Sequence, residues 1–267
     1  MYEVSSEIYK ETDFQSKKCE NGRVLSTFGF IYPPSKDDSS MKIDDDGDLI
    51  VTRKTRAVIE IEHSSSTVLQ LVGLQVWRGA LLLADYLFHI RHELQDKQIL
   101  ELGAGVGLTS IAAAIYAKKV ICTDVDIGGI LELIRANVKR NGQILKGDLN
   151  VMELDFKKPF SSKLTKAITE TDIVIAADVI YDDDLTDCLI NVLGTILEKN
   201  PKVTIYMALE QRYVFTLADL DSVAPCYEYF KRKATDKHWI IRDMCIDFPQ
   251  YFEYERCKEL LLLKITN

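Results

Sequence analysis

Histidine is scarce in this chain, with four in 267 residues, and none of the six cysteines forms a Cys-x-x-Cys pair. That rules against a zinc framework or a disulfide scaffold. Cys19, Cys122, Cys188, Cys226, Cys245 and Cys257 read instead as reduced cysteines of an intracellular protein. His89 and His92 stand three apart near a helix end without a Cys or Glu partner at ligand spacing, so they read as a surface helix end and no metal is expected. Basic residues are in the minority, 33 against 41 acidic ones, for a net charge of −8. A general nucleic-acid binder carries the opposite excess, so no direct nucleic-acid binding is expected. No apolar run reaches the ~18–20 residues of a membrane span. The N-terminus lacks the charged start and apolar core of a signal peptide. The expectation is an intracellular monomer of the nucleus and/or cytoplasm, with no membrane partner.

What is present is ordinary globular composition, 47% hydrophobic and 28% charged. The length suits one domain, or one domain with a small extension. Residues 1–66 read as an N-terminal arm and β-rich extension. Residues 1 to about 20 are polar and without period, which predicts a frayed or partly ordered arm. Val24–Tyr32 and Leu49–Glu62 alternate as strands, which predicts a β-hairpin. From about residue 67 the pattern changes. A helix is predicted over Val76–His89, and strands over Gln98–Leu102, Lys119–Asp124, Asn150–Asp155, Asp172–Ala177 and Lys202–Ala208. Helices are predicted over Gly107–Ala117, Ile127–Arg140, Leu185–Leu197 and Phe215–Phe230. Two final strands are predicted over Trp239–Ile246 and Glu259–Ile265. Strands alternating with helices of this length predict an α/β fold, with a parallel sheet covered by helices on both faces. Such sheets bind ligands outside the carboxyl ends of their strands.

Three features at those strand ends carry chemistry. In Glu101-Leu102-Gly103-Ala104-Gly105-Val106-Gly107 an apolar strand runs into three glycines at alternate positions. Glycine permits φ > 0 and close backbone approach to a ligand, and the helix that follows offers free N–H groups. The bland alternative is a tight strand-to-helix turn. Asp124 ends the second strand, 21 residues after Gly103, where an acid accepts hydrogen bonds from ribose hydroxyls in mononucleotide folds. It would otherwise cap the following helix, a task for which Asp126 is better placed. Asp178 and Tyr181 lie three apart just past the fourth strand, and Asp183 or Asp184 reads as the cap of the next helix.

Together these residues resemble the seven-strand S-adenosylmethionine-dependent protein-lysine methyltransferase family, related to the valosin-containing-protein lysine methyltransferase. Gln75-Val76-Trp77-Arg78-Gly79-Ala80 resembles its tryptophan-bearing segment, Glu101–Gly107 its first motif, and Asp178-Val179-Ile180-Tyr181 its Asp/Glu-x-x-Tyr signature. Leu154-Asp155-Phe156 stands where the family usually has Leu-Asp-Trp. Trp77–Tyr86 and Tyr181–Asp187 are most similar to the methyltransferase-like 22 branch. The resemblance covers about residues 67–267, which reads as the methyltransferase domain.

It implies a Rossmann-like seven-strand sheet and S-adenosylmethionine as cofactor. Trp77, Glu101, Gly103, Gly105, Asp124, Phe156 and Ala177 are then the implied cofactor-binding residues. Asp178 and Tyr181 are the implied catalytic pair, and the partner is a protein substrate presenting a lysine. Three rivals stand beside this reading. A methyltransferase acting on nucleic-acid bases commonly carries Asn/Asp-Pro-Pro-Tyr/Phe where Val179-Ile180 stand here; a small-molecule acceptor belongs with that rival. A nucleotide-dependent oxidoreductase would favour glycine at position 108, which is leucine. A silent S-adenosylmethionine-binding interaction protein would keep the fold alone.

Overall fold

The computed structural model describes residues 3–11, 15–34, 42–43, 49–50, 55–212, 214–216 and 221–267. Gln15–Lys18 (β1), Val24–Ile31 (β2) and Arg56–His63 (β3) form an antiparallel sheet in that order. Alternation explains its sidedness: Ser26, Phe28 and Phe30 on β2 and Ile59, Ile61 and His63 on β3 all point inward. The hairpin expected from the sequence is therefore present with a third strand added. Of the strand predicted over Leu49–Glu62, Leu49–Ile50 pairs with Lys42–Ile43 and Arg56–His63 is β3, while 51–54 lie outside the described residues.

The helix Arg78–His89 (α1) is buried over most of its length. After it, strands and helices alternate: Gln98–Leu102 (β4), Leu108–Ala114 (α2), Lys119–Asp124 (β5), Ile130–Arg140 (α3) and Asp148–Glu153 (β6). Ser162–Thr169 (α4), Ile173–Ala177 (β7), Asp183–Lys199 (α5), Thr204–Glu210 (β8), Pro225–Thr235 (α6), Ile240–Asp243 (β9) and Leu260–Thr266 (β10) complete the chain. The sheet order is β6-β5-β4-β7-β8-β10-β9. Its first five strands pair in parallel, and β10 is antiparallel to both of its neighbours. One core joins α1, α2, α3 and the N-terminal sheet on one face, and a second joins α4, α5 and α6 on the other. This is the α/β architecture expected from the alternation, with the Rossmann-like seven-strand sheet that the resemblance implied.

Two polar devices tie the layers together. Asn137 on α3 and Asn141 at its C-cap, one turn apart, accept from the Glu62 and Glu60 N–H groups of β3 and donate to the same residues' carbonyls. They satisfy the free edge of β3 as a neighbouring strand would. Asp85, fully buried on α1, accepts from the Tyr251 and Phe252 N–H groups, the Tyr254 hydroxyl and Arg256.

Several sequence expectations are corrected. The arm is ordered over residues 3–11: Glu3–Val4 pairs with Thr67–Val68, and Ile8 is buried in the core. The helix predicted over Phe215–Phe230 begins only at Pro225, and Val214–Thr216 pairs with Asp221–Val223 before it. The helix expected from Ile127 starts at Ile130 behind Gly129, so Asp126 caps nothing. Asp182, not Asp183 or Asp184, caps α5 by accepting from the Leu185 N–H. Leu69–His89 is long and apolar enough for a membrane span, yet it is mostly buried and broken by extended residues at Gln75 and Trp77.

Candidate active site

The site forms where β4, β5, β7 and β8 deliver their carboxyl ends to one edge of the sheet. Gly103, Gly105 and Gly107 all adopt positive φ, between +58° and +88°. At Gly105 the backbone conformation and the space both demand glycine, since a Cβ there would lie 2.9 Å from the Gly73 carbonyl oxygen. Asp124 fixes this turn: one carboxylate oxygen accepts from the Gly105 N–H and the other from the Val125 N–H, both at 2.7 Å. Each oxygen keeps a further lone pair for a ligand. Glu101, 1% exposed, accepts from the Ser110 hydroxyl on α2.

These groups face a cavity of about 420 Å³, of the size that takes small molecules. Trp77, Glu101, Gly103, Gly105, Asp124, Phe156, Ala177, Asp178 and Tyr181 all line it. Every site residue picked from the sequence thus reaches one place. The sequence reading missed Leu69 to Leu74, which form a further part of the cavity wall and pack against the glycine turn at Gly73 and Gly105. This run of leucine, valine and glutamine has no clean period and reads equally as helix or strand. In the structure it is a kinked 3-10 turn followed by extended chain, and the Trp77 indole N–H donates to the Val72 carbonyl.

Asp178 also lines the cavity, with φ +52°, a left-handed conformation that aspartate tolerates better than most residues. That turn aims its carboxylate at two backbone donors, the Gly79 N–H at the start of α1 (2.7 Å) and the Glu210 N–H at the end of β8 (2.9 Å). Gly79 is required here, because a Cβ would stand 2.5 Å from the Asp178 carboxylate. Beside it, Arg78 pairs with Glu11 and Glu210 at 2.9 Å and with Glu7 at 3.2 Å. Arg212, exposed after β8, lays its guanidinium over the Trp77 ring at 4.3 Å from the centroid. The tryptophan segment announced Trp77 in the sequence, but nothing there signalled that Gly79 would hold Asp178.

Burial sets the electrostatics. It pushes Glu101 up to about 8, against hydrogen bonds from Ser110 and Thr109. It pushes Asp124 up to about 6, against the Gly105 and Val125 N–H groups. Burial also raises Asp178, while the Arg212 charge pulls it down. The Tyr181 hydroxyl is driven up to about 12 by burial and by the Asp124 and Asp182 charges. No cation offsets Glu101 or Asp124 among the described residues. A ligand that donates hydroxyl hydrogens to Asp124 and brings positive charge near Glu101 would fit this pair of acceptors. Among the described residues no cluster suits a metal ion.

The comparisons agree with this geometry. The chain is 38% identical to methyltransferase-like protein 22 of Mus musculus over 235 residues, covering 79% of this chain and 59% of that protein. It is 30% identical over 158 residues to histone-arginine methyltransferase METTL23 of the same species, covering 59% of this chain and 60% of that one. The chain thus spans less than two thirds of either relative. Among solved structures, the methyltransferase domain of bacterial CtHen1 superposes with a TM-score of 0.50 at 13% identity, covering 70% of this chain and 98% of that domain. At that identity the likeness concerns the fold alone. The lysine methyltransferase family model matches residues 55–223, from β3 through the glycine turn, Asp124 and the Asp178–Tyr181 pair, and this chain belongs to that family.

Proposed function

We propose that this chain is a protein-lysine N-methyltransferase that takes its methyl group from S-adenosylmethionine. The observation that carries the reading is the one cavity lined by Asp124, Asp178 and Tyr181 together. Asp124 would accept from the ribose hydroxyls, with Gly103 and Gly105 giving close backbone approach. Glu101 would face the positively charged methionyl part, Phe156 would pack on the adenine, and Trp77 and Ala177 would shape the space between. When bound, S-adenosylmethionine supplies a methyl group already activated on a sulfonium, so the protein need not supply a strong nucleophile.

The chain's own task is then to hold the acceptor nitrogen in line and unprotonated. A free lysine has a pKa of ~10.4 and arrives charged. A buried channel favours its neutral form. Asp178, held by two backbone donors, presents its remaining lone pairs to the amine, and the Tyr181 hydroxyl lines the approach. Alignment of this kind can relieve ~7–11 kcal/mol of barrier. Asp182, Asp183 and Asp184 favour a basic segment of a substrate protein, in the nucleus or cytoplasm. The relative named for histone arginine keeps an arginine acceptor as the second reading.

Calorimetry with S-adenosylmethionine and with NAD tests the cofactor. Binding of the former alone is expected. Asp124→Ala should weaken it by about a hundredfold or more, as two hydroxyl hydrogen bonds are lost. Unchanged affinity in that variant would refute the ribose role. Radiolabelled methyl transfer into cell extract, followed by mass spectrometry, then reads the acceptor. Label on lysine is expected, and label on arginine would select the second reading.

A further inference from the structure

Arg212 stands at a junction that the functional reading leaves unused. The Glu210 N–H bond to Asp178 pins the end of β8 beside that carboxylate, and Arg212 follows two residues later. Its guanidinium then turns onto the Trp77 indole, 4.3 Å from the ring centre, although the residue is exposed and water is available to it. Trp77 and Asp178 both line the cavity. The surroundings are acidic: Asp182 and Asp183 reach the same neighbourhood, where their charges and that of Arg212 all act on Cys226. Arg78, the other arginine near Asp178, is already committed to Glu7, Glu11 and Glu210.

A cation over an aromatic face beside a carboxylate is how proteins bind ammonium and guanidinium groups. An acceptor lysine arrives as such a cation. We propose that Arg212 is an internal placeholder for the acceptor: it rests on Trp77 beside Asp178 while the site is empty and leaves that place when a cationic side chain enters. The proposal rests on the reading that the acceptor is a lysine or arginine side chain. In the waiting state the guanidinium neutralises the mouth and covers the indole. On exchange, one cation replaces another, so the net charge at the mouth is conserved. Arg212 is a specificity-determining residue in this account, since a neutral acceptor gains too little from Trp77 and Asp178 to displace it.

The test uses the full chain carrying Trp239→Phe, which leaves Trp77 as the sole tryptophan. The probe is n-butylammonium, titrated against sodium chloride of equal ionic strength and read by Trp77 emission. Arg212→Ala should change the starting emission and bind the probe about three- to tenfold more tightly, with Arg212→Lys in between. Weaker or equal probe binding in Arg212→Ala, or unaltered starting emission, would overturn the placeholder. Calorimetry on the same proteins keeps the two proposals apart. S-adenosylmethionine binding is read in the parent, before the Arg212 variants are compared. Its absence in the parent would sink the methyltransferase reading, while the fluorescence series decides the placeholder by itself.

Discussion

Glu101 and Asp124 are buried carboxylates whose protons are held more tightly in the folded chain than in the unfolded one. Glu101 titrates near about 8 in the fold, and Asp124 near about 6. Unfolded, they return to ~4.3 and ~3.9. Between those limits the native state binds the extra protons, so stability falls as pH rises. Most of the fall from Glu101 spans pH 5 to 8. Glu101→Gln keeps an acceptor for the Ser110 hydroxyl and removes the titration. Differential scanning calorimetry should show the wild-type melting temperature declining from pH 5 to 8.5 and the variant declining less, by a difference of about 4 kcal/mol in stability. A parallel decline in both proteins would mean that Glu101 ionises normally. At this scale the sequence was informative about position: an acid closing a strand before glycines, or standing at the next strand's end, must face the same edge. It said nothing of the proton affinity, which depends on how little water and how few cations surround each acid once the helices are packed.

Among elements, the segment Glu3–Glu11 is the least expected part of the structure. It lies across the wall of the cavity rather than fraying from it. The Gln75 side chain accepts from the Ser6 N–H and donates to the Val4 carbonyl and the Thr67 hydroxyl. The Tyr9 hydroxyl accepts from the Val76 N–H at 2.7 Å. Glu7 and Glu11 reach Arg78. The stretch Leu69–Trp77 is thereby held from outside. Removing residues 1–11 should weaken S-adenosylmethionine binding about tenfold as the wall loosens, and Gln75→Ala should do part of the same. Calorimetry on the two variants checks this, and full affinity in the truncated chain would show that the wall stands alone.

That arm escaped the sequence because its apolar residues are few and its partners lie some sixty residues away, so no local period records it. The segment after β8 escaped for another reason. Its apolar spacing over Phe215–Phe230 is helical by count, yet Pro225 is suited to the first turn of a helix and marks the true start. The strands of the large sheet were legible to within a few residues, since continuous apolar runs between turn signals leave little choice.

Across the whole molecule, the parallel arrangement of β4, β5, β7 and β8 makes the site readable. Motifs far apart in the chain must meet when each one ends a strand in the same direction. What joins layers was not readable. The Gly79 contact with Asp178, the Arg212 stack on Trp77 and the asparagine pair of α3 against β3 each connect residues with no shared local pattern. Asp85 belongs to this class, and its effect reaches into the dynamics of the fold. Tyr251 and Phe252 lie in an irregular stretch between β9 and β10, where amide protons ordinarily trade with solvent quickly. Both amides are instead bonded to one carboxylate inside the core, at 2.7 and 2.9 Å. In heavy water they should retain their hydrogens on the timescale of the central strands. The slow clock of the sheet thus extends, through a single buried side chain, into irregular chain that touches β2 only by the isolated bridge of Phe252 to Phe30.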